Sequence, residues 1–296
     1  MKKRLYIYIG VVLLMTALVI ASAIYENAYK VYLLPEISSV FRESVATSTK
    51  FGTHGAAQDA ERTKTVMVDG ESVNVSYNEM LSNEMYAYTS EDNRVTCLFD
   101  KYDGNIRMLS VEGWFPTAEE EPTEQAYLNW IYRQTAAYYE EDWSAYRFSC
   151  STMVMSSTSG APQQLQRDGY SEPSESETVS AYLFTFTKVI DGYETSDIIQ
   201  AYIHPENGFA ALEFSAHDFD SITLPKVDTA RVSREIKSFL RASLNFKEHT
   251  YIRHELRQPK FAYIHNTLCL ICSVSMEVTA ENGTQVIDQQ LAVIIQ

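Results

Sequence analysis

The stretch from Tyr182 to Ser215, YLFTFTKVI-DG-YETSDIIQAYI-HPENG-FAALEFS, leaves this chain fewer possible folds than any other part of it. Tyr182, Phe184 and Phe186 alternate with Leu183, Thr185 and Thr187. That period of two, carried by aromatic and β-branched residues, is what a pleated strand with two different faces requires. Asp191-Gly192 follows between Ile190 and Tyr193. Both central residues of a type I′ turn need positive φ, so Asp-Gly at this place predicts a hairpin. Ile198 to Ile203 supplies the return strand, Pro205-Glu206-Asn207-Gly208 turns the chain again, and Phe209, Leu212 and Phe214 mark a third strand. Three strands with one apolar face are not stable alone and need a covering element.

The expected cover lies just upstream. Pro122 to Glu141 reads as a helix, with Leu128, Ile131, Tyr132, Thr135, Tyr138 and Tyr139 on one stripe. Pro122 suits a first helical turn, where a missing N–H costs nothing. Glu119, Glu120, Glu121 and Glu124 lie near the positive end of the helix dipole and read as a solvated helix start.

Lys2, Lys3 and Arg4 precede an uncharged apolar run from Leu5 to Ile24. A run of that length suffices to cross a bilayer as a helix, which takes roughly 20 residues. The cationic start predicts a single-pass membrane protein with its N-terminus in the cytoplasm and its C-terminal part outside. Ala21-Ser22-Ala23 resembles a signal-peptidase site, so secretion after cleavage near Ala23 is the rival expectation. The formal net charge of −15 argues against a nucleic-acid partner, because phosphate contacts need clustered Lys and Arg. An acidic face for a basic partner is the other meaning of that charge, and no stretch of sequence localises it.

Taken in order, the chain divides into an anchor or signal peptide (1–25), a stalk and linker (26–63), a β-hairpin region (64–121), a helix-plus-sheet unit (122–225) and a second such unit (226–296). Asp69-Gly70 between Val68 and Val73 predicts a hairpin, and Asp103-Gly104 another. Ser156 to Glu177 is rich in Ser, Pro and Gly and reads as a mobile loop. Asp228 is a suitable N-cap for a second helix, with Val232, Ile236, Phe239, Leu240 and Leu244 as its apolar stripe. Tyr251 to Arg257, Thr267 to Val278 and Gln285 to Ile295 read as strands. Gly104 and Gly208 lie 104 residues apart, and apolar positions around them coincide, which suggests a tandem repeat. The expected fold is therefore α+β, an N-terminal transmembrane helix followed by tandem units of one helix packed on an antiparallel meander sheet.

The run from Phe186 to Gly208, with Lys188 at a strand end, the Gly192 turn, Asp197 and the Gly208 hairpin after a helix, resembles PepSY-like domains. The resemblance covers Pro122 to Ser215 and extends to Asp228–Gln296 in outline. It implies an extracytoplasmic, non-catalytic protein that binds or restrains a peptidase or serves in envelope sensing.

Reactive constellations are missing from the sequence. It contains no G-x-S-x-G elbow, no H-E-x-x-H and no phosphate loop. His217, Asp218 and Asp220 with His249, His254 and Glu255 come nearest to a metal-ligand set, and their spacing gives no reason for them to converge; His54, His204 and His265 are scattered. Cys269 and Cys272 have C-x-x-C spacing within a strand pattern, where residues three apart face opposite ways. With Cys97 and Cys150 they read as small core residues. No catalytic residue, cofactor or metal is expected. Tyr138, Tyr139, Trp143 and Tyr146 form an aromatic cluster at the end of the first helix, suited either to packing or to a partner-binding surface. The expected function is a non-enzymatic, membrane-tethered, extracytoplasmic protein that binds or regulates a protein or peptide partner at the cell envelope. A spacer subunit of a membrane complex and a hydrolase with a site assembled only in space are the alternatives.

Overall fold

A computed structural model of the protein describes residues 29–33, 59–81, 85–113, 123–156, 163–171, 177–215, 219, 223–243, 250–256, 259–264, 267–280 and 283–295. The chain forms two compact units. One is Gly52–Ile222, and the other joins Met1–Phe51 to Thr223–Gln296. Strand β1 (Tyr29–Leu33) belongs to the latter.

Gly52–Ile222 begins with β2 (Thr63–Val68), β3 (Glu71–Tyr77), β4 (Met85–Ser90), β5 (Val95–Asp100) and β6 (Ile106–Glu112). Helix α1 (Glu124–Ala136) follows, then β7 (Tyr146–Ser156), β8 (Gln163–Asp168), β9 (Glu177–Ile190), β10 (Tyr193–His204) and β11 (Phe209–Phe214). These strands hydrogen-bond in the order β2-β3-β4-β5-β6-β11-β10-β9-β7-β8, every neighbour antiparallel. Asp69 and Gly70 have φ of 52° and 87°, and Asp191 and Gly192 have 51° and 84°. Both pairs thus meet the positive-φ demand of a tight turn that matches strand twist. One face of the sheet carries the core: Val66, Tyr88, Cys97, Leu109, Leu212 and Phe184 among others, all in one cluster with α1 residues Tyr127, Trp130 and Ile131. Fully burying one such large apolar side chain contributes about 1.5–3 kcal/mol.

Helix α1 starts at Thr123, whose hydroxyl accepts from the Ala126 N–H at 3.3 Å. Its buried stripe is Tyr127, Trp130, Ile131, Gln134 and Thr135, one side of a 3.6-residue period. Gln134 is a polar residue on that stripe because it has work for both ends of its amide. Its Oε1 accepts from the Asp69 N–H at 2.8 Å, and its Nε2 donates to the Met67 carbonyl at 2.6 Å. The helix is thereby tied to the β2–β3 turn.

In the other unit β14 (Thr267–Ala280) is the central strand. From Cys269 to Ala280 it pairs with β15 (Gly283–Ile295). Its first half pairs on the other side with β13 (Lys260–Ile264), and its second half with β12 (Thr250–Leu256). β15 in turn pairs with β1, Tyr29 opposite Ile295. Helix α2 (Thr229–Ser243) packs against β1 and β12. Asp228 Oδ1 accepts from the Arg231 N–H at 3.0 Å and caps it, and Val232, Ile236 and Leu240 are buried one turn apart.

This architecture corrects the expected α+β fold of tandem helix-on-meander units. Antiparallel sheet dominates, with only two helices among the described residues against strands β1–β15. The physical reason lies in a pairing between distant strands. β11 pairs with β6, Leu212 opposite Leu109, so the early hairpins and the later meander form one sheet with a shared core. The hairpins around Gly104 and Gly208, read as a tandem repeat, lie side by side in that sheet. Within Ser156–Glu177, read as a loop, β8 pairs with β7. β1 forms in the segment read as a stalk.

The membrane expectation is also corrected. Among the described residues no helix is long and apolar enough to cross a membrane. Leu5–Ile24 and the cleavage site near Ala23 lie outside the described residues. The transmembrane helix, the signal anchor, the membrane contact through Leu5–Ile24 and the single-pass, extracytoplasmic location are therefore not carried into the functional reading.

Candidate functional site

A groove of about 430 Å³ opens on the face of the Gly52–Ile222 sheet opposite the core. Its origin is local. Leu98 is opposite Met108 and Phe99 is opposite Ile106, so Arg107 is the extra residue of a β-bulge in β6. A second irregularity falls in β10, where Glu194 pairs with Val189 but Ile198 with Thr187. Bulges bend a strand and re-aim its side chains. The first brings the adjacent Arg107 and Met108 together into the groove lining, while Ser196, Ile198 and Gln200 share that face by ordinary alternation along β10. Between them Leu98, Met108, Glu213 and Gln200 are successive cross-strand partners on β5, β6, β11 and β10. At the usual strand spacing that row is about 14 Å wide.

The walls are held by specific bonds. The Ser215 hydroxyl accepts from the Ile198 N–H at 2.6 Å, and the Ser215 N–H donates to the Ile198 carbonyl at 2.9 Å. Behind them Asp197 is buried in β10, and its Oδ2 accepts from the Phe219 N–H at 3.0 Å. Burial of a carboxylate is tolerable when its oxygens accept such bonds.

The charges around the groove are unequal. Arg107 donates to the Ser215 carbonyl at 3.2 Å and forms ion pairs with Asp100, at 3.5 Å, and with Asp103. One guanidinium thus faces two carboxylates. Burial works against the charge on Asp100, but N–H bonds from Tyr102 and Asp103 and the Arg107 guanidinium outweigh it and hold the carboxyl below its usual range. Glu213 is exposed on the groove floor and joins no ion pair among the described residues. Two other cations of the unit have partners: Lys101 lies over the Tyr86 ring, 5.1 Å from its centroid, and Arg147 pairs with Glu194.

Charge is segregated on a larger scale as well. Gly52–Ile222 holds 9 Lys and Arg against 29 Asp and Glu, a net charge of −20. The remaining chain holds 15 against 10, a net charge of +5. The acidic balance of the whole protein thus belongs to one unit.

The aromatic residues singled out from the sequence lie on the core side of this unit. Tyr138 and Tyr139 are half-buried, and their hydroxyls donate to the carbonyls of Met67 at 2.6 Å and Ile106 at 2.5 Å. Trp143 packs edge-on against Phe186, with centroids 5.0 Å apart, and lies 5.7 Å from the Tyr146 ring. Tyr146 donates to Glu141 at 2.7 Å. All four are partly buried and pack against the core cluster. The groove residues gave no motif, because most are only the outward members of alternating strands.

Among the described residues no group of three His, Cys, Asp or Glu side chains is placed to hold a metal ion. His54, His217, Asp218, Asp220, His249 and His265 lie outside the described residues, as does the side chain of His254. His204 Nδ1 lies 2.9 Å from the Ser180 carbonyl. The four cysteines are free thiols. Burial pushes Cys97, Cys269 and Cys272 up to about 12 and Cys150 to about 11, so each stays protonated and unreactive at neutral pH. Comparison with family models, curated proteins and solved structures returned no match.

Proposed function

We propose that this is a non-enzymatic binding protein of regulatory type, whose acidic unit Gly52–Ile222 docks a protein or peptide partner rich in Lys and Arg. The observation that carries the reading is the segregation of charge, −20 in one unit against +5 in the rest. A net charge of that magnitude attracts the opposite sign over a distance of about a Debye length and raises association rates. The groove adds an apolar floor with a carboxylate in it, the combination by which interfaces gain both affinity and register. Among the described residues the strongly shifted titratable groups are thiols and phenols held protonated by burial, which supports a non-catalytic role. A nucleophilic thiol needs the reverse, a lowered pKa.

The test is fluorescence anisotropy with the full chain and three labelled peptide pools, basic, neutral and acidic. The basic pool is expected to bind alone, with affinity falling steeply between about 50 mM and about 500 mM salt as screening shortens the Debye length. Equal binding of the neutral or acidic pool, or no binding of the basic pool, contradicts the reading.

A further inference from the structure

Resting on that reading, we infer that the outward groove is the docking site, and that it takes an extended partner segment in which a Lys or Arg lies between apolar side chains. The floor is a cross-strand row of Leu98, Met108, Glu213 and Gln200, flanked by Ile198 and Met85. Its volume of about 430 Å³ accepts a few side chains, not a folded element. Thioether side chains adapt to irregular apolar partners, which suits Met85 and Met108 to such a role. The cation belongs on Glu213. A Lys or Arg stem lies along apolar surface while its head reaches a carboxylate, and Leu98, Met108 and Ile198 provide that surface around Glu213. Apolar walls lower the local dielectric and strengthen the pair. Arg107, which also lines the groove, is engaged by Asp100 and Asp103 rather than by Glu213, which leaves Glu213 to a partner's cation.

The probe is a short fluorescein-labelled peptide alternating Leu and Lys, titrated against the full chain. Glu213→Lys is expected to weaken binding about tenfold or more, and the isosteric Glu213→Gln severalfold. Glu71→Lys, an equal charge change at an exposed position of the β2–β3 hairpin in the same unit, is expected to leave affinity within about twofold. Glu213 is exposed, so circular dichroism of both variants is expected to match the parent. If Glu213→Lys fails this check, Glu213→Gln carries the comparison. If Glu71→Lys weakens binding as much as Glu213→Lys, or neither Glu213 variant weakens it, the groove is overturned while the acidic-unit reading stands. If the parent protein binds the peptide no better than an alternating Leu and Glu control, both fall.

Discussion

Asp100 shows how a single residue serves both the turn and the groove. Its Oδ1 accepts from Tyr102 and Asp103 N–H groups, closing the β5–β6 turn, and its Oδ2 meets Arg107. Because its folded pKa is lowered, its contribution to stability is fully present above the unfolded value of about 4 and is lost as pH falls through the folded value. Asp100→Asn is therefore expected to lower the melting temperature at neutral pH, with the gap to the parent closing below about pH 4. A gap that persists unchanged in acid contradicts the assignment. The thiols give a second residue-scale prediction. With the buried thiols pushed to about 11–12, iodoacetamide at mildly alkaline pH is expected to label the native protein slowly and all four cysteines fast once it is unfolded. Fast native labelling would show that burial is not what controls them. Gln134→Leu, which removes the acceptor of the Asp69 N–H and one of the two donors to the Met67 carbonyl, is expected to cost about 1–3 kcal/mol in a denaturant melt.

At the scale of elements, the signals that were legible in the sequence were those written in neighbouring residues. Asp69-Gly70 and Asp191-Gly192 state their turns because few other pairs hold positive φ twice in succession. Asp228 and the Val232–Ile236–Leu240 spacing state α2 in the same local terms. A Cβ at Gly192 would meet nothing within 4 Å, so Gly192→Ala is expected to cost about 1–2 kcal/mol through backbone strain alone, with Gly192→Asn recovering much of it. Thermal melts of the two variants check this, and equal losses would mean that φ is not the constraint. What stayed illegible depends on which strand pairs with which. β8 carries polar residues, QQLQRD, and becomes a strand because β7 offers it a ladder. The joining of β6 to β11 is a long-range choice that alternation leaves open, since Leu212 would present the same face to any partner strand. The groove was hidden for the same reason. Leu98 and Met108 are the off-face members of strands whose core members read normally, and only the bulge at Arg107 turns that face into a site.

Over the whole molecule, charge is the property that sets this protein apart. The sequence states the total of −15 without saying where it lies, and the division into units assigns an excess of acid to Gly52–Ile222. Like charges crowded on one unit repel, so added sodium chloride is expected to raise its melting temperature as screening sets in. The measurement that tests the account most directly is hydrogen exchange by mass spectrometry on the full chain, with and without a saturating basic peptide. The account predicts slowed exchange in Val95–Asp100, Ile106–Glu112 and Phe209–Phe214, the strands that carry the groove, with Thr229–Ile295 unchanged. Protection confined to Thr229–Ile295, or the same weak change spread over both units, would contradict it.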